Sequence, residues 1–349
     1  MGGGKRVTFA SPPKSAVRLE DLNREAGPES RTEGIIPRAR SVTNCEAKMR
    51  HAIAAVVLLL VCSVSLSAQW GKFQDPSVPR DAKGIVRMDA PPPRTADGKP
   101  DLTGNWLRAD QEPLPSELAG LFSAKRDAGG DVVGEPQVPV FPPDPKSPPL
   151  GAFWDIATNI PGGLPLTPWA AAVKKERMST DMKDNPDANC MPMGITQFHM
   201  QPQPRKIIQT PKLITILYES NYGLRYIYTD GRPLPKQGDP LPWWYGYSVG
   251  RWEGDTLVVE TNNLRGAEES SVDGWLDVRG TPYSGQAKFT ERFRRPIFGK
   301  LEIDVTVEDA KALAKPFTVR INQRVMADEE PIEFVCNENQ QFRQRIKIG

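Results

Sequence analysis

Histidine is almost missing from this chain: its 349 residues hold two, His51 and His199. Downstream of residue 68 one histidine and two cysteines remain, too few for a structural zinc site of four Cys or His ligands. A Ser-His-Asp triad would have to recruit His199 ahead of its serine. Gly246-Tyr247-Ser248-Val249-Gly250 fits the G-x-S-x-G pattern, but another strand follows it where a helix should, and no histidine comes later. The nucleophile elbow is set aside. A charge excess is also lacking, with 45 Lys and Arg against 43 Asp and Glu. Long apolar runs are lacking too: Ala52–Leu66 falls short of the roughly 20 residues that cross a bilayer as a helix.

That short run has a positive start, Met49-Arg50-His51, and a small-residue end, Ser67-Ala68-Gln69. This is the layout of a secretory signal peptide over residues 49–68, with cleavage expected between Ser67 and Gln69. Val61 stands where a small residue should precede a lipidated Cys62, which argues against a lipoprotein. The protein is therefore expected to be exported, periplasmic or extracellular, with no stable membrane span after cleavage. Residues 1–48 lack apolar periodicity and read as a disordered extension, or as the result of a start codon placed too early, Met49 being the true one. Ten of the Lys and Arg and six of the Asp and Glu precede Gln69, leaving a formal net charge of −2. Nucleic acid is not an expected partner on that balance. Cys190 and Cys336 are the cysteines left after cleavage, and in an oxidising compartment they are expected to form a disulfide.

Residues 69–185 form a proline-rich extended segment; of the chain's 35 prolines, 18 lie between residues 69 and 170. Such sequence neither propagates a helix nor donates to a central ladder. One short strand is expected near Trp106, a short helix at Ser116–Arg126, and a better one from Thr167-Pro168 that ends before Asn185-Pro186. Residues 186–349 read as an antiparallel β domain. Leu301 to Glu308 alternates apolar and polar without a fault, and Phe317 to Asn322 does the same. Further strands are expected at 206–210, 213–219, 224–229, 247–252, 256–261, 287–294 and 332–336, with turns at Asn221-Tyr222-Gly223, Glu253-Gly254-Asp255 and Phe298-Gly299-Lys300. The fold class is mainly all-β, an up-and-down barrel or curved meander of about nine strands with one or two short helices. A β-sandwich is the rival, since alternation alone does not separate the two.

Three carboxylates are candidate general acids or bases: Glu291, flanked by Phe289 and Phe293 on an inward face, Glu260 after Val258, and Glu219 after Leu217. Arg225 and Arg292 are potential partners, and structural ion pairing is the commoner use of such groups. Cys190, Met191, Met193, His199 and Met200 group soft ligands of a kind copper takes, but they also serve as packing, and a disulfide at Cys190 removes one. No metal and no cofactor is expected. Aromatics cluster at Trp243, Trp244, Tyr245 and Tyr247, with Tyr218, Tyr222, Tyr226 and Tyr228 on the preceding hairpin. They would either line a pocket for a flat or apolar ligand, or a sugar, or seal one barrel end. Trp243, Trp244, Tyr245, Tyr226, Arg225 and Trp252 are the candidate ligand-binding residues.

Several phrases carry a resemblance: Pro100-Asp101-Leu102-Thr103-Gly104-Asn105-Trp106, Cys190-Met191-Pro192-Met193-Gly194, Ile227 to Arg232, Ser248 to Thr261, Glu291-Arg292-Phe293 and Cys336-Asn337-Glu338-Asn339. Together they resemble a family of uncharacterised secreted proteins from environmental bacteria over roughly residues 97–340. The resemblance implies export and names no chemistry. Gly104-Asn105-Trp106 is also similar to the Gly-x-Trp that opens lipocalin barrels, where the tryptophan plugs one end; the proline-rich stretch and helix that follow depart from that pattern. The sequence thus reads as an exported β protein whose expected partner is a small organic or apolar ligand. The alternatives are a carboxylate-dependent hydrolase or isomerase and a structural envelope-interaction protein.

Overall fold

Nine strands carry the period-two pattern into three dimensions: β1 (Gly104–Arg108), β2 (Arg205–Gln209), β3 (Leu213–Tyr218), β4 (Gly223–Tyr228), β5 (Tyr247–Glu253), β6 (Thr256–Asn262), β7 (Lys288–Ile297), β8 (Lys300–Glu308) and β9 (Phe317–Val325). The computed structural model describes residues 74–109, 141, 144–239, 241–336 and 338. The expected leader, the extension before it and the helix at Ser116–Arg126 lie outside the described residues. The strands follow one another around a closed barrel in chain order, so the barrel reading holds against the sandwich.

Three expectations about the staves need correction. The strand near Trp106 is a member of the ring, since β1 pairs with both β2 and β9 and closes it. Residues 332–336 are not a strand. With β1 already on β9 no edge is left for them, and they run outside with Ile332 and Val335 exposed. The third correction concerns direction. Every neighbouring pair is antiparallel except β4 and β5, which run parallel through Ile227–Ser248 and Tyr228–Val249. The reason is parity. An odd number of staves cannot alternate direction all the way around a closed ring, so one pair must run the same way. Here the mismatch sits where residues 229–246 bring the chain back along the barrel before β5 begins.

The expected helix forms as α1 (Pro168–Ser179), with the Thr167 Oγ1 accepting from Ala170 N at 3.3 Å and proline in the first turn. It ends earlier than expected, at the Thr180 cap, followed by left-handed Asp181 and Met182. A second helix, α2 (Ile195–Met200), forms where the sequence predicts no helix; all six of its residues are buried. The Phe198 ring stacks on Tyr218 at 4.2 Å, and His199 meets Phe293 edge-on at 5.8 Å. Arg205, fully buried in β2, donates to the carbonyls of His199 (2.7 Å) and Gln201 (2.8 Å), satisfying orphan acceptors at the end of α2. Trp106 is fully buried too; its Nε1 donates to Leu102 O at 3.0 Å, and the Arg295 guanidinium lies 4.8 Å from its ring.

Cys190 and Cys336 form the expected disulfide, with Cα atoms 5.5 Å apart. On the way to Cys336 the chain is held against the barrel. Asn105 Nδ2 donates to Glu329 O, Lys206 pairs with Glu330 at 2.6 Å, and Ile332 N donates to Glu219 Oε2 at 2.8 Å.

Candidate functional site

The outside of the barrel differs from one side to the other. On β5 to β9, Arg251, Glu253, Glu260, Lys288, Arg292 and Arg294 interlock as cross-strand ion pairs. On β2 to β4, Ile208, Leu217, Leu224 and Tyr226 are each more than a third exposed. Leu217 lies opposite Leu224 and Thr215 opposite Tyr226, so the apolar groups are neighbours on one face. At the β4–β5 seam this face runs into a groove of about 190 Å³, lined by Leu224, Tyr226, Tyr228 and residues 243–248.

The groove follows from the parallel seam. Just before β5 the chain makes a turn at residues 243–246. Trp243 is pinned to the extension of β6, its N donating to Asn263 O at 2.9 Å while Arg265 N donates to Trp243 O at 3.0 Å. Gly246 turns the chain with φ of 62°, and a Cβ there would collide with Asn262 O. The turn sends its aromatics two ways. Tyr245 points inward, 5.1 Å from Phe198 between ring centroids. Trp243 stays 47% exposed at the rim, 5.7 Å from the ring of Tyr247. Tyr247 stacks on Tyr228 at 5.3 Å, and Arg232, held by Asp230, covers Tyr228 at 3.8 Å and donates to the Tyr247 hydroxyl at 3.0 Å.

Behind the groove lies a buried charged network. Ser248, at the groove's inner end, accepts from Arg225 Nε at 3.2 Å and shares a 2.9 Å hydrogen bond with Thr261. Arg225 grips Glu291 with both terminal nitrogens, Nη1 to Oε1 at 2.9 Å and Nη2 to Oε2. Glu291 Oε1 also meets His199 Nε2 at 2.7 Å. Burial works to raise the Glu291 pKa, but the Arg225 guanidinium and the His199 contact outweigh it and bring the carboxyl down to about 2. Burial pushes His199 below its ordinary value despite the carboxylate beside it, so it sits neutral. His199 Nδ1 and both polar atoms of the Gln197 amide are buried without a hydrogen-bond partner.

The candidate residues therefore separate. Trp243, Trp244, Tyr245 and Tyr226 come together in the groove. Arg225 does not join them: it is 1% exposed and points into the barrel, because odd-numbered residues of β4 face inward and even-numbered ones outward. Trp252 sits at the far end of β5 and packs on the core. Trp244 carries the Arg265 guanidinium 4.7 Å over its ring and also borders a niche beside Asp273 and Tyr283. Only the backbone of Tyr222 is described. The three carboxylates do not meet. Glu291 is inside, Glu260 lies outside between Lys288 and Arg251, and Glu219 holds the backbone of Ile332. Glu260 faces out because Leu257, Val259 and Thr261 take the interior, and the apolar run Leu257-Val258-Val259 has no alternation that fixes the face from sequence.

Ser248 stands inside a strand bonded to Arg225 and Thr261, not on a strand-to-helix elbow. Among the described residues no three His, Cys, Asp or Glu side chains group as a metal site would; Cys190 is in the disulfide and His199 Nε2 is on Glu291. Sequence reasoning missed Leu224 and Arg232 at the groove and the joining of Glu291 to His199. The alternation Leu224, Tyr226, Tyr228 on one face of β4 was the available signal for the first. No protein-family model matches the chain, and neither a curated protein nor a solved structure is similar to it.

Proposed function

We propose that this is an exported binding protein that holds a small, flat organic molecule in the groove at the β4–β5 seam. The aromatic lining of that groove carries the reading: the exposed rings of Tyr226 and Trp243 and the half-buried ones of Tyr245 and Tyr247 converge on one concave surface. Large exposed apolar surface is rare on a soluble domain without a partner, and aromatic walls gain most from flat ligands. The leader-like run, the disulfide and the phrases resembling secreted bacterial proteins support a periplasmic or extracellular setting.

A carboxylate-dependent enzyme is less well supported by this geometry. Glu291 is committed to Arg225 and His199 in the interior, and neither other carboxylate approaches it. The test is native mass spectrometry of protein purified from its own host, followed by titration of the released compound. A retained compound of low mass, bound at least tenfold more weakly by Trp243→Ala and unchanged in Trp252→Phe, is the expected result. A compound whose affinity ignores Trp243→Ala would place binding elsewhere and sink the reading.

A further inference from the structure

The seam also leaves part of a strand edge unused. Thr229 N donates to Lys212 O at 2.9 Å, which sets the phase of the β3–β4 ladder. Residues 229, 227, 225 and 223 turn their main-chain groups toward β3, and 228, 226 and 224 turn theirs toward β5. The pairing with β5, however, covers Ile227–Ser248 and Tyr228–Val249 and then stops. The N–H and C=O of Leu224 thus point past the end of the ladder, and Leu224 lines the groove.

In an extended residue these two groups lie side by side and point the same way. Their complement is an N–H beside a C=O in the same orientation. A cis-amide locked in a ring, as in a lactam or cyclic imide, offers that pair on a single edge. A strand added from another chain offers it as well, but strand addition gains affinity from a run of main-chain bonds, and the short edge from Leu224 to Tyr226 gives few of them. At about 190 Å³ the groove is also below the usual range of roughly 300–1,000 Å³ for ligand pockets, which suits one or two fused rings.

We propose that the ligand is a planar nitrogen heterocycle with a cis-amide edge, which pairs with the N–H and C=O of Leu224 while its faces meet Tyr245 and Trp243. This rests on the binding reading above and narrows its chemistry. Three probes of similar size separate the two ideas by calorimetric titration of the intact protein: quinazoline-2,4-dione, its 1,3-dimethyl derivative, which keeps the rings and loses both N–H donors, and naphthalene. The expected result is that the dione binds about tenfold more tightly than the dimethyl compound, two solvent-accessible hydrogen bonds being worth that order of magnitude.

Leu224→Pro removes the protein's donor and keeps its carbonyl, so one of the two bonds remains and the tenfold difference should fall to about threefold. Gly223 already has ψ of 126°, the extended state a residue before proline adopts. The dione comparison stands on its own should that variant unfold. Equal binding of the dione and its dimethyl derivative would overturn the cis-amide edge and leave the aromatic groove standing. Binding of none of the three would overturn both. An extended tripeptide binding more tightly than the dione would replace the ring with a strand and also end the proposal.

Discussion

His199 is the sole histidine downstream of the leader-like segment, so any titration near neutrality that unfolding reveals belongs to one residue. Buried and neutral, it resists protonation in the folded state, whereas the unfolded chain takes up the proton near pH 6.5. The unfolded state therefore binds more protons below that pH, and stability falls as pH drops from about 7 to 5.5. Urea unfolding of His199→Gln should lose this slope, and a retained slope would mean that it arises from other groups. Glu291 acts in a lower window. With its folded pKa near 2, below its unfolded value, its contribution is complete above about pH 4.5 and disappears as pH falls toward 2. Replacing Glu291 by Gln leaves Arg225 buried without its counter-charge and should cost about 3–5 kcal/mol in the same experiment.

Among the elements, those written in clean alternation were readable from sequence. β8 and β9 could be placed from Leu301 to Glu308 and Phe317 to Asn322 because one face is apolar and the other polar. α1 was readable through Thr167 and Pro168. Two elements were not. α2 spans six residues, too short for a helical period, and all of its faces are buried, so it presents no amphipathic stripe. The parallel pairing of β4 and β5 was hidden for another reason: direction depends on the number of staves in the ring, and no local pattern encodes a count. The same gap separated the site residues. Tyr226 and Trp243 stood out as aromatics, while the place of Arg225 depended on knowing which face of β4 looks inward. At this scale the disulfide is the clearest lever, since it closes a loop 146 residues in span. Cys336→Ser should lower stability by up to about 4–5 kcal/mol on chain-entropy grounds, measured as a shift in the urea midpoint. No shift would mean that the last segment is held by its contacts with Asn105, Lys206 and Glu219.

For the whole molecule, the proposed export gives the next test. The chain is expected to begin at a residue between Ser67 and Gln69 once exported, as terminal sequencing of secreted material would reveal. Material that keeps Met1 and stays with the membrane would refute this. The ring cannot close until β9 reaches β1, and the bond from Cys190 to Cys336 needs both ends of that span in place. An oxidising compartment is therefore where the fold can be completed with its disulfide.

Subtracting one stave from the ring makes its plan plainer. Without β5 and the stretch of residues 229–246 that leads into it, eight strands remain, and each runs opposite to both neighbours once β4 meets β6. Described this way, the molecule is a regular eight-membered cylinder with a ninth member wedged into its wall. The wedge fits fully along one flank, where seven residue pairs join it to β6, and touches the other through two. The aromatic groove is the gap left by that incomplete fit, so the irregularity in the cylinder and its candidate binding site are one feature.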